Sequence, residues 1–504
     1  MNFTRTTHTP MQHQRGAALM VMLVIMIVGI AAFLVSSLSS SALQTKRDEV
    51  TASALVQARE ALIGYATSVD LTGVSRPGDL PCPDTDNDGI AGSTSPLVLT
   101  CDLQSQRIGR LPWKTLGLPD LRDGNGERLW YAVSDNFKNN TRTICTVSGQ
   151  PGCLNSDTAG TITVRGSNGS IIYNGCSAFG LPDCPNPSAS DAPFGTGAVA
   201  IIFSAGDVLT RQGAASIQNR GCTVGMDCDT TEKCTMSPPT LTPKCNPVNY
   251  LDIATAEDNA DFADSSSTNG FIQGRIKDLS NNVILNDQLL VITQDSIMQV
   301  IQKRVAGEVK QCLNEYAIHP QNMGRYPWAV PPADFPSYSD ISAKLFGRIP
   351  DTPFTQTCLS SGGNTTSVPP NTNNCSDTPT TGMKNNWTGN CNINSLSGWW
   401  LNWKEMVFYG LSDAYKPTTP LIAPACGTTG TCLSVTTPSV IANQKFVVIV
   451  AGKMLTNPVA QARSSSPQKS TPDNYLELPN NFPGTTTFAQ SGVSATFNDT
   501  LVFQ

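Results

Sequence analysis

The longest apolar run of the chain lies near its start. From Ala17 to Leu38 there are 22 residues without a charge, Pro, Asn or Gln. At about 1.5 Å per helical residue the run reaches roughly 33 Å, so it predicts a membrane-spanning helix. It is too long for a secretory signal, whose apolar stretch is about 7–15 residues. Arg5 and Arg15 precede it, and Lys46 and Arg47 behind it are offset by Asp48 and Glu49. That bias puts the N-terminus in the cytoplasm and the remainder outside. Nothing between Leu38 and Val50 breaks a helix strongly, and VTASALVQAREALIGYA (50–66) repeats Val50, Ala54, Leu55, Ala58, Leu62 and Tyr65 at helical spacing. The pattern predicts one continuous helix from Ala17 to about Ala66. A second helix is predicted over 294–317, with Ile297, Ile301, Val305, Val309 and Leu313 as its apolar stripe and Asp295 and Ser296 in its first turn. The other apolar runs (LWYAV, TITV, SIIY, AVAIIF, MVFYGL, FVVIV) are four to six residues long and read as strands of antiparallel sheets.

One set of signatures occurs twice in the same order, the mark of an internal duplication. GRLPW (109–113) returns as GRYPW (324–328), WYAVSDNF (130–137) as FYGLSDAY (408–415), and SAGDVL (204–209) as VAGKML (450–455). NYLDI (249–253) returns as NYLEL (474–478) and LNDQLLVI (285–292) as FNDTLVF (497–503), and a close cysteine pair follows each copy of the second signature. The expected fold is α+β: a long membrane-spanning N-terminal helix continuing into the first of two tandem modules, each a helix packed on a small antiparallel sheet with disulfide-pinned loops. The boundaries are a basic leader at 1–16, the spanning helix at 17–49, a first module at 50–293 and a second at 294–504. A Ser/Thr/Asn-rich insertion falls at about 339–400, too polar to bury much surface.

All 16 cysteines follow the apolar run, and only 14% of residues are charged. Spacing favours short disulfides in an exported chain, with Cys82, Cys101, Cys145, Cys153, Cys176, Cys184, Cys426 and Cys432 as candidates. Cys222, Cys228, Cys234 and Cys245 read as disulfides before zinc, because their gaps do not form tight metal knuckles. A formal charge of −6 without clustered Lys and Arg argues against nucleic acid.

A basic leader ending in Gly16, an apolar run opening at Ala17, one long helix and a sheet-bearing head together resemble the type IV pilin and type II secretion pseudopilin superfamily. HQRGAALM resembles the minor pilins that start RGAAL. The resemblance implies cleavage by a prepilin peptidase between Gly16 and Ala17, after Arg15, and methylation of the new N-terminus. It further implies assembly with other pilin or pseudopilin subunits through the hydrophobic helix. Location in the inner membrane as a single-pass protein with periplasmic heads follows, as does incorporation into a surface filament. Major pilins carry Glu at the fifth mature position, where this chain has Val21. Lacking that carboxylate, it suits a minor, tip-type subunit serving secretion or adhesion. A membrane-anchored, unprocessed binding protein of adhesin type is the rival reading.

The sharpest chemical motif is DTDNDG. Asp84, Asp86 and Asp88 alternate before Gly89, the first half of an EF-hand-type loop, and a carbonyl at Ile90 could add an oxygen. Position twelve is Ser95 rather than Glu, so Ca2+ and an Asx-rich turn held between Cys82 and Cys101 stand as alternatives. DGNGE, with Asp123, Asn125 and Glu127, reads as a turn. Three His, two of them in the leader, leave no nucleophile–base arrangement, so no catalytic residues and no enzyme are expected. GWWLNWKE offers Trp399, Trp400 and Trp403 as a contact surface.

Overall fold

The computed structural model describes residues 15–71, 75–94, 97–98, 100–138, 145, 153–178, 183–211, 217–220, 244–254, 257–261, 263–340, 343–353, 383–384, 386–391, 393, 398–417, 422–457 and 459–504. Helix α1 runs Arg15–Ser68 and α2 runs Gln294–Ile318. Most of the Ser/Thr/Asn-rich insertion, 354–382, lies outside the described residues.

The expected membrane span is corrected. Among the described residues no helix is long and apolar enough to cross a membrane. Lys46, Arg47, Asp48 and Glu49 lie on α1. The fold class with a spanning helix, the prepilin and single-transmembrane descriptions, and the inner-membrane location with periplasmic heads all rested on that span and are set aside with it.

Each repeat builds the same four-stranded antiparallel sheet in chain order. The first has strands Ile108–Arg110, Trp130–Val133, Ala200–Ser204 and Gln288–Ile292; the second has Phe346–Arg348, Val407–Leu411, Phe446–Val450 and Thr500–Phe503. Each also carries a three-stranded sheet of a hairpin plus one parallel strand: Val164–Arg165, Ile171–Tyr173 and Phe271–Ile272 in the first, Leu433–Thr437, Ser439–Gln444 and Thr487–Ala489 in the second.

Register corrects one pairing drawn from the sequence. Gly109 lies opposite Tyr131 and Gly347 opposite Tyr409, so IGRLP (108–112) corresponds to FGRIP (346–350) and not to GRYPW. The counterpart of YPWAV (326–330) is LPCPD (80–84). Tyr131 donates its hydroxyl to the Pro81 carbonyl at 3.2 Å, and Tyr409 donates to that of Pro327 at 3.3 Å. Both glycines are required by close approach rather than by turning. A Cβ on Gly109 would sit 2.6 Å from the Asp84 carbonyl oxygen, and one on Gly347 would collide with that of Val330.

Alternation along the strands divides the apolar residues between two layers. Tyr131, Val133, Ala200 and Ile202 face Ala54, Ala58 and Leu62 of α1 and Ile297, Ile301, Val305 and Val309 of α2, and the second sheet's Tyr409, Phe446, Val448 and Val450 join the same core. On the other face Trp130, Ala132, Ile201 and Phe203 pack with Tyr250, Leu251 and Phe271. The two modules therefore share one continuous core. Polar contacts reinforce it: Ser156 Oγ donates to the Ala451 carbonyl at 2.6 Å, Leu154 N donates to Asn402 Oδ1 at 2.7 Å, and Arg463 pairs with Asp157 at 2.5 Å. Helix α2 starts at a reciprocal cap, in which Thr293 and Ser296 each accept the other's backbone N–H.

Disulfides join Cys82–Cys101, Cys145–Cys153, Cys176–Cys184 and Cys426–Cys432, and a fifth ties Cys312 of α2 to Cys391. Cys245 is disulfide-bonded, while Cys222, Cys228 and Cys234 lie outside the described residues.

Candidate metal centre

The Asp84 loop hangs from the edge of the first sheet. Asp84 and Arg110 exchange backbone hydrogen bonds at 2.9 and 2.7 Å, and the Cys82–Cys101 disulfide anchors the approach. From that fixed point the chain wraps around the Asp84 carboxylate. Its Oδ1 accepts from the backbone N–H of Asp86 (3.2 Å) and Asp88 (3.3 Å), and its Oδ2 from that of Gly89 (2.7 Å). Asn87 (φ 60) and Gly89 (φ 88) adopt the left-handed conformation that tightens the wrap. At Gly89 nothing larger fits, since a Cβ would lie 2.7 Å from the Trp113 ring. The loop closes where Thr85 N donates to the Gly92 carbonyl at 2.9 Å.

Asp84 and Asp86 are buried and Asp88 is half-buried, and one oxygen from each lies within 4.8 Å of the others. Burial, opposed by the Gly89 hydrogen bond and reinforced by the charges of Asp86 and Asp88, pushes Asp84 up to about 7. Three hard oxygen donors in a wrapped loop fit a Ca2+-type ion in their chemistry. Asp84, Asp86 and Asp88, with the Ile90 carbonyl, are the groups that would hold it. Ser95, at the twelfth loop position, lies outside the described residues. Lys114 donates to the Asp88 carbonyl, and Arg128 to that of Asn87 at 2.9 Å, so the outer side of the loop is already held by cations. Among the described residues the second module has no equivalent acid triad, and Val330 stands where Asp84 does.

The turn at Asp123 is a different object. Its Oδ1 accepts from Asn125 N and Glu127 N, each at 2.9 Å, and its Oδ2 from Ser204 Oγ at 2.7 Å. The first two bonds close the turn and the third ties it to the sheet.

Trp399, Trp400 and Trp403, expected at a contact surface, are corrected to core positions. They lie on the short helix α3, Gly398–Trp403, each no more than 1% exposed. Trp399 and Trp400 meet edge to face at 5.6 Å, and the Trp400 indole N–H donates to Asp351 at 2.9 Å. Arg15, Gly16 and Ala17 fall in the first turn of α1.

Two buried arginines escaped the sequence reading. Arg110 lies 4.1 Å from the ring centres of both Trp130 and Tyr250, and Arg348 lies 4.8 and 4.9 Å from those of Phe408 and Tyr475. The signal was present in the Gly-Arg and Asn-Tyr-Leu repeats, but only the strand pairing brings them together. These cation–π sandwiches fasten the NYLD and NYLE segments onto their sheets. Comparison with protein-family models, curated proteins and solved structures gave no match for the chain.

Proposed function

We propose that this chain is a pilin-like subunit that joins other subunits through the apolar end of α1, in a type IV pilus or a type II secretion pseudopilus. One observation carries the reading. Met20, Met22–Val28 and Ile30 are all more than half exposed, from 54% at Ile30 to 74% at Met22, whereas Ala54, Ala58 and Leu62 of the same helix are buried in the head. A contiguous apolar helix surface of this kind calls for a covering partner. Equivalent apolar helices of other subunits supply one without any polar group to satisfy. Covering each such side chain contributes about 1.5–3 kcal/mol before the cost of association. The folded modules then stand at the outside of the assembly, where they meet neighbouring subunits or exported cargo.

The test uses the full chain and its Val24→Asp/Ile27→Asp variant, expressed with pilin-type partner subunits and followed by sedimentation and electron microscopy. The unsubstituted chain is expected in fibres or in complexes with those subunits, and the variant as single chains with the same circular dichroism. A wild-type chain that stays monomeric beside assembled fibres, or a variant that assembles equally well, would overturn the reading.

A further inference from the structure

A second repeated feature lies on the outer face of each module and is independent of the assembly reading. In the first, Asp252 N and Asn259 Nδ2 both donate to Asp287 Oδ2, at 2.8 and 2.9 Å. Asn286 N and Gln218 Nε2 donate to the two oxygens of Asp252, at 2.8 and 2.9 Å. In the second, Glu477 N and Asn480 Nδ2 donate to Asp499 Oδ2, at 3.2 and 3.0 Å. Asn498 N and Gln461 Nε2 donate to the two oxygens of Glu477, at 3.1 and 3.0 Å. Position for position the two networks are the same: an acid in the NYLD or NYLE segment, an acid in the Asn-Asp turn before the last strand, and an Asn and a Gln that bind them.

Each network buries two carboxyl groups together. Asp252 is 0% exposed, Asp287 and Asp499 are 2%, and Glu477 is 8%. Asp287 Oδ1 and Asp499 Oδ1 are the buried oxygens of these pairs that have no hydrogen-bond partner. Arg220 is the cation that acts on the first pair, and its donors go to the carbonyls of Ala205, Gly206, Asn249 and Tyr250 and to Gln218. Its counterpart Arg463 is taken up by Asp157 and the Gly452 carbonyl. Neither pair forms an ion pair with a cation among the described residues. Arg220 draws the first pair down only through space, and burial together with the adjacent acid outweighs it, so joint ionisation of two such neighbouring carboxyl groups is disfavoured.

We propose that each pair holds one proton in the native chain, forming twin latches that tie the 249–259 and 474–480 segments to the last-strand turns and loosen as pH rises. The idle Oδ1 of Asp287 and of Asp499 is the position the proton takes, since protonation there breaks none of the hydrogen bonds that the Oδ2 atoms accept. Burial first, then the neighbouring acid, holds Asp287 and Asp499 well above the usual carboxylate range, and burial pushes Asp252 up to about 6. The sign follows from linkage. Groups raised in the folded state contribute stability that is complete below the unfolded carboxylate values, and it is lost as pH climbs through the folded ones.

Two measurements decide it. Infrared difference spectra of the full chain at neutral pH are expected to show protonated carboxyl bands that vanish in Asp287→Asn/Asp499→Asn. Thermal midpoints of the unsubstituted chain are expected to fall by roughly 2 °C per pH unit as pH rises from about 4, the ordinary carboxylate value, toward the raised folded-state values, and those of the variant, whose amide mimics the protonated acid, to fall less steeply. Absence of the carboxyl bands in the unsubstituted chain overturns the proposal without any variant. So does an equal pH slope in both proteins.

Discussion

At the scale of single residues, burial decides what a charge is worth. Lys469 and Glu405 pair at 3.0 Å with side chains 9% and 3% exposed, and Tyr475 donates its hydroxyl to the other Glu405 oxygen at 2.6 Å. Glu405→Gln removes the charge that balances a buried ammonium, and a loss of about 3–5 kcal/mol in denaturant unfolding is expected. Lys46–Glu49 spans a similar 3.1 Å with both side chains exposed, so Lys46→Ala is expected to change stability by less than about 1 kcal/mol. The Asp84 loop gives a ligand test at the same scale. Added calcium is expected to raise the thermal midpoint over chelated protein, and Asp86→Asn to abolish the gain. A midpoint indifferent to calcium would leave the loop as an Asx-type turn. The alternating aspartates were visible in sequence because their chemistry is local. The three tryptophans of α3 misled for the converse reason: their exposure depends on elements distant in sequence that cover them.

At the scale of elements, the cysteines show how far spacing carries. The near-neighbour pairs at Cys145/Cys153, Cys176/Cys184 and Cys426/Cys432 could be read from spacing, as could Cys82 and Cys101 flanking one loop. Cys312–Cys391, 79 residues apart, could not, since its halves meet only when Cys391 is brought back against α2. Loop closure scales with the chain enclosed, so this bond is expected to contribute about 4–5 kcal/mol. Unfolding of Cys312→Ala/Cys391→Ala in denaturant measures it, and a loss no larger than that from removing Cys426–Cys432, six residues apart, would refute the ordering. Repeat strands were recognisable from β-branched runs, yet the first signature was matched one segment out of place. Two Gly-Arg-x-Pro pairings compete in sequence, and only strand register, with the hydrogen bonds from Tyr131 and Tyr409, chooses between them.

At the scale of the whole molecule, the duplication was readable but the union of its halves was not. Short motifs report that a unit repeats; they do not report which faces of the units meet. Here α1, α2 and both four-stranded sheets enclose common apolar side chains. Cutting at 293 removes the α2 stripe from beneath the first sheet, so a fragment ending there is expected to be protease-sensitive and to bind hydrophobic dyes. A fragment as resistant to limited proteolysis as the full chain would show instead that the first module is self-sufficient.

Helix α2 is at once the opening element of the second repeat and part of the floor of the first. A pulling load applied to the far repeat is therefore carried by side-chain packing across that helix instead of by a bare peptide hinge. Under tension the pair is expected to yield in one abrupt event, a single stiff body rather than two beads paying out in turn.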